Sequence, residues 1–150
     1  MLQRVVQPSS SLLIAPFRRL TLCERRDIYC LVDPEDYDWA LAWGWNIGWH
    51  NKTKWKFYAK RNEGPARLTV YLHREILKRA TGCDIDFAAA HHGHHVNGQS
   101  LDNRRVNLQW LPPKENSAIR ERRDNIPTLE SIEARLMLEA GLTPTDLPPF

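Results

Sequence analysis

Apolar and polar positions change their period several times along these 150 residues. Between residues 45 and 72 the period is two. Trp45, Ile47 and Trp49 alternate with other positions, then Trp55, Phe57 and Ala59, then Leu68, Val70 and Leu72. Polar turns at residues 50–54 and 61–65 separate the runs. Alternation between such turns predicts a three-stranded antiparallel meander, with the tryptophans mostly in its core rather than stacked on bases. Ahead of it, residues 20–22 and 28–32 read as short strands. Asp33, Pro34, Glu35 and Asp36 open a short helix, with Asp33 as N-cap, and Gly44 can end it. Residues 72–80 have helical spacing and stop at Gly82, and residues 84–90 lead into a run of histidines. A proline-started helix carries Asn116 to about Arg123, and a second one spans residues 128–140, capped by Thr128 and ended by Gly141. The last eight residues read as extended and mobile.

These elements predict an α+β chain. An irregular arm at 1–19 precedes a small antiparallel sheet at 20–71. A core at 72–123 follows, then a C-terminal helix with its tail at 124–150.

Composition adds little to that outline, but charge placement adds more. The hydrophobic share of 42% and charged share of 26% are ordinary for a globular chain. Net charge is only +3, yet the arginines are grouped: 18 and 19, 25 and 26, 104 and 105, and 120, 122 and 123. Grouped cations can make a positive surface on a nearly neutral molecule, which favours a polyanion partner over plain solvated charge. Three widely spaced cysteines give no disulfide framework and point to a reducing cytosol. The apolar run near the start is short and broken by Pro8 and Pro16, which excludes a membrane span and a signal peptide.

The chemistry concentrates between His91 and Asn116. Four of the six histidines, at 91, 92, 94 and 95, fall within five positions. Phosphodiester hydrolysis needs a water, a base to deprotonate it, and positive charge near the phosphate. His95 suits the base, because imidazole titrates near neutral pH. Asn107, twelve positions on, could accept a hydrogen bond from Nδ1 of His95 and leave Nε2 facing the water. Asn116 falls in the first turn of its helix, where its side chain can point back at the strands. Asn97 and Gly98 read as a turn, and Asp102 and Asn103 as residues that shape the loop.

From His94 to Asn116 the chain resembles the HNH endonucleases. It carries His94-His95-Val96-Asn97-Gly98, then Leu101-Asp102-Asn103-Arg104-Arg105-Val106-Asn107-Leu108, then Gln109-Trp110-Leu111, then Pro113-Lys114-Glu115-Asn116. Upstream, Leu31 to Tyr37, Phe57-Tyr58-Ala59 and Leu72-His73-Arg74-Glu75 are similar to the phage-type homing members, in which a small DNA-binding sheet precedes the nuclease motif. The resemblance covers about residues 20–120. It implies a ββα-metal core that hydrolyses DNA with one divalent ion, in a phage or host cytosol, as a monomer or weak dimer. One site per chain implies nicking of one strand. His95 would be the general base and Asn107 its orienting partner, with His94 and Asn116 as metal ligands. Many phage members have aspartate where this chain has His94. A His/Asn pair shifts preference from Mg²⁺ toward Mn²⁺, Ni²⁺, Co²⁺ or Zn²⁺.

Around that centre, Arg120 shares a helix face with Asn116 and is the first candidate for a phosphate clamp. Arg74 and His92 are further candidates, while His73 reads as core. Arg104 and Arg105 either contact phosphates or are solvated. Two rival readings remain. One is a DNA-binding protein with a degenerate site. The other is an interaction module stapled by zinc on Cys83, His91, His92 and His94, although paired cysteines at short spacing are missing.

Overall fold

The computed structural model describes residues 15–49, 56–120 and 125–150, with the side chain of Arg120 left out. The class is α+β: five helices and three small antiparallel sheets among the described residues. The first sheet is a hairpin of β1 (Arg18–Cys23) and β2 (Ile28–Val32), closed by a 3-10 turn at Glu24–Arg26 and by Asp27 at φ 50°. Helix α1 (Pro34–Leu41) follows directly. Asp33 has the extended backbone of an N-cap, but its carboxylate does not cap the helix. It accepts from the Arg105 N–H at 2.7 Å.

The predicted meander forms as β3 (Asn46–Trp49), β4 (Phe57–Glu63) and β5 (Leu68–Tyr71), in sheet order β3-β4-β5. The segment from residue 20 to 71 thus holds two separate sheets. The tryptophans divide. Trp45 is buried and donates to the Ala40 carbonyl, whereas Trp49 is 50% exposed and pairs with Phe57. Trp55 and the turn before β4 lie outside the described residues.

β5 runs without a linker into α2 (Leu72–Thr81), which buries Leu72, His73, Ile76 and Leu77 and stops at Gly82 with φ 63°. The short helix α3 (Ile85–Ala90) was not expected. Asp84 caps it by accepting from the Phe87 N–H at 2.7 Å. The third sheet pairs β6 (His92–His95) with β7 (Leu108–Leu111), and α4 (Pro113–Arg120) packs back on β6. The expected extension of α4 to Arg123 lies outside the described residues. Helix α5 (Leu129–Glu139) has the expected Thr128 cap, accepting from the Ser131 N–H. Its Glu133 is buried against Arg19 and the Tyr29 hydroxyl, which fastens α5 to the hairpin. The tail is not simply extended. It makes a 3-10 turn at Pro144–Asp146 and ends with Phe150 edge-on to Tyr29.

One hydrophobic cluster draws Phe17, Leu31, Ala59, Ile76, Leu101, Leu108 and Ile132 from the hairpin side, the meander, α2, the loop before β7, β7 and α5. The loop between β6 and β7 is stitched to β2 as well. Leu31 donates to the Leu101 carbonyl and accepts from the Asn103 N–H, both at 2.8 Å. The hairpin therefore fixes the loop's backbone from outside.

Candidate functional site

A cleft of about 510 Å³ opens where β6, α4, α2 and the meander meet. β6 contributes His92, His94 and His95, α4 contributes Asn116, α2 contributes His73, Arg74 and Lys78, and the meander contributes Tyr58 and Tyr71. His94 and His95 are 6% and 4% exposed. They are consecutive on a strand, but His95 is the strand's last residue. The chain turns immediately after it, with Gly98 at φ 83° and its N–H on the His95 carbonyl at 3.0 Å. That junction lets both imidazoles reach one cavity.

The partner of the His95 ring is Asn103. Its Oδ1 lies 2.9 Å from Nε2 of His95. An amide oxygen only accepts, so the proton sits on Nε2 and the lone pair on Nδ1. The two ring nitrogens therefore exchange the roles expected from sequence. Asn103 is 1% exposed, and its Nδ2 meets no oxygen or nitrogen acceptor among the described residues. It neighbours the Cys30 thiol, a weak sulfur acceptor. Burial pushes that thiol up to about 12 and keeps it protonated.

Asn107, expected at the His95 ring, works elsewhere. Its Oδ1 accepts from the Asn97 N–H and its Nδ2 donates to the Asp102 carbonyl, both at 2.9 Å. It staples the two arms of the loop together. The sequence offered two carboxamides of equal chemistry, eight and twelve residues past His95. Only the stitching to β2 decides between them.

Burial pushes the His95 imidazole down to about 4. The charges of Lys56 and His94 add to this, and the Asn103 bond and Asp102 charge oppose it. His73 is held well below its usual range, first by burial and then by the charges of His95, Arg74 and Lys56. Both rings are neutral near pH 7, because desolvation penalises the charged form.

The arginines divide in the same unexpected way. Arg104 is buried and forks onto Asp102, with Nε and Nη2 at 2.8 and 2.7 Å from its oxygens. Arg105 forks onto Asp36 of α1, both contacts at 2.8 Å. Both guanidiniums are taken up by carboxylates and neither lines the cleft, although Arg105 stays 30% exposed. Arg74 does border the cleft, but its guanidinium donates to the carbonyls of His91 and Ala88 and lies over Trp110. It holds the entry to β6 in place. His92 is exposed in the cleft wall. The Arg120 side chain lies outside the described residues.

For a cation, the cleft offers one buried imidazole, His94, and one half-buried carboxamide, Asn116. An imidazole and a carboxamide suit a hydrated divalent ion, because most of its coordination shell would stay open to water and phosphate. Among the described residues no group of three or more His, Cys, Asp or Glu is arranged to hold a metal. His91 is stacked on Phe87 at 3.9 Å, with Nδ1 on the Phe87 carbonyl. Cys83, His91, His92 and His94 are therefore not gathered as a closed site.

No protein-family model, curated protein or solved structure matches this chain. No helix among the described residues is long and apolar enough to cross a membrane.

Proposed function

We infer that this chain is a metal-dependent DNA endonuclease of the HNH type, acting in a cytosol on one strand at a time. The reading is carried by one observation: His94, His95 and Asn116 line a single cleft, and Asn103 fixes the His95 tautomer. Lys56, Arg74 and Lys78 on the same walls give the cleft a cationic lining suited to a phosphodiester. The resemblance of residues 94–116 to the HNH motif supports the same reading.

Nδ1 of His95 takes the proton of the attacking water. The positive charge that then develops on the ring is stabilised through Nε2–H on Oδ1 of Asn103. A low affinity for protons costs basicity but keeps the ring unprotonated at neutral pH. The incoming phosphate anion would raise that affinity. His94 and Asn116 are the residues that would hold a divalent ion. What the ion supplies when bound is positive charge against the crowded phosphate and its leaving oxygen.

Purified protein with Mg²⁺ or Mn²⁺ is expected to relax supercoiled plasmid. His95→Ala should lower that rate by about 10²–10⁴-fold while DNA affinity stays near wild type. Intact plasmid across a panel of divalent metals, with DNA binding retained, would favour a binding protein instead. Unfolding by a chelator would favour a zinc-stapled module.

A further inference from the structure

We propose that His73 is a positioning residue for His95, seated in a slot that Gly93 leaves open. The inference rests on the nuclease reading for its consequence, but its geometry stands apart from it. Strand alternation puts Gly93 and His95 on the same face of β6. Above Gly93 the missing side chain leaves room for a ring, and His73 fills it. A Cβ built on Gly93 would lie 2.6 Å from Cδ2 and 3.0 Å from Nε2 of His73, well inside contact distance. The seated ring stands 4.8 Å from the His95 ring, centroid to centroid. Tyr58 and Tyr71 flank it at 5.8 and 5.7 Å.

His73 has little freedom to leave. It is 7% exposed and sits in the first turn of α2, which continues β5 without a linker. The His95 ring is therefore bonded to Asn103 at Nε2 and packed against the His73 ring, the two planes inclined at 48°, with Tyr58 at 6.1 Å. A ring wedged against it at that angle restricts how far the imidazole can swing. His73 does not take the proton. It holds the His95 ring in the pose that keeps Nε2 on Asn103.

The test uses the full chain, ¹⁵N-labelled, with plasmid and Mn²⁺ as substrate and metal. His73→Ala removes that ring, and Gly93→Ala displaces it, its Cβ meeting Cδ2 and Nε2 of His73 and, at 3.2 Å, Cγ of Arg74. Each is expected to lower the single-turnover nicking rate by about 10–100-fold, the cost of a misplaced reacting group. The half-saturating DNA concentration should stay within about twofold, since neither residue is needed to hold DNA. In imidazole NMR, His95 should change from one tautomer protonated at Nε2 to a mixture. His73→Phe keeps an aromatic plate and should restore most of the rate and the single tautomer. It also serves if the alanine variants do not fold.

A folded His73→Ala protein with unchanged His95 signals overturns the inference, even if its rate falls. So does His73→Phe with a mixed tautomer. If the wild type does not nick any plasmid, the nuclease reading fails, and the His95 signals still decide the role of His73.

Discussion

The two halves of the β6-to-α4 segment are built on opposite principles. In the loop between the strands, buried polar groups satisfy one another. Asp102, fully buried, accepts from Arg104 through two nitrogens and from Asn97 Nδ2 at 3.0 Å, while Asn107 bonds to both arms. In the cleft wall, His73, His94 and His95 are buried, His73 and His95 among rings, and burial holds those two neutral. The loop makes charge safe by pairing it, and the wall avoids charge by desolvation. Arginines and asparagines in a motif therefore do not all face the substrate. Here most of them build the frame that holds two rings in place.

The sharpest way to break this contrast is to leave Asp102 alone. Arg104→Met keeps the length of the stem and removes both charge-assisted bonds. Breaking a buried pair from one side costs about 3–5 kcal/mol. Urea unfolding should show that loss. A change below about 1 kcal/mol would mean the loop does not depend on the pair.

Acid should attack the wall. The folded pKa values of His73 and His95 lie below the ordinary value of 6.5, so above that pH neither ring affects stability. As pH falls through 6.5 the unfolded chain takes up protons that the folded chain refuses, and stability is lost. For His95 the loss runs down to about pH 4. By pH 5.5 His95 alone should cost about 1 kcal/mol, and His73 adds to the loss in the same direction. His73→Phe removes one of them and should make the slope between pH 6.5 and 5 shallower. An unchanged slope would show that folding does not lower the proton affinity of His73.

The same contrast explains what the sequence allowed to be read. Alternation and turn chemistry gave β3, β4 and β5, and the cap and stop residues gave α2 and α5, because those signals are local. The pair His94 and His95 and the helix of Asn116 were legible from their spacing, and all three line one cleft. The choice of Asn103 over Asn107 was not. It follows from the bridge to Leu31, 72 residues upstream of Asn103. Arg105 finds Asp36 across a separation of 69. Asp33, read as a local cap, is taken by the Arg105 backbone. His73 was read as core, which its burial fits. Its contact with His95 depended on a glycine whose meaning appears only once α2 lies over β6. Periodicity finds elements, but which of two like side chains meets a third depends on how the elements pack.

The smallest effect separates framing cations from substrate cations directly. Each phosphate contact contributes about −0.9 to the slope of log affinity against log salt. Lys78 lines the cleft and is paired with Glu75 at 2.7 Å, with 42% of its side chain exposed. An exposed pair of this kind is worth little, so a phosphate could take its place. Lys78→Ala is expected to flatten the slope by up to about 1 with a fall in stability within about 0.5 kcal/mol. Arg105→Ala should leave the slope unchanged, because its guanidinium stays on Asp36 and α1. The pair would be measured together, as DNA affinity between about 50 and 200 mM salt in Ca²⁺ or without metal. If Arg105→Ala flattened the slope as much as Lys78→Ala, the loop arginine would be a DNA contact after all, and the division between frame and cleft would fall.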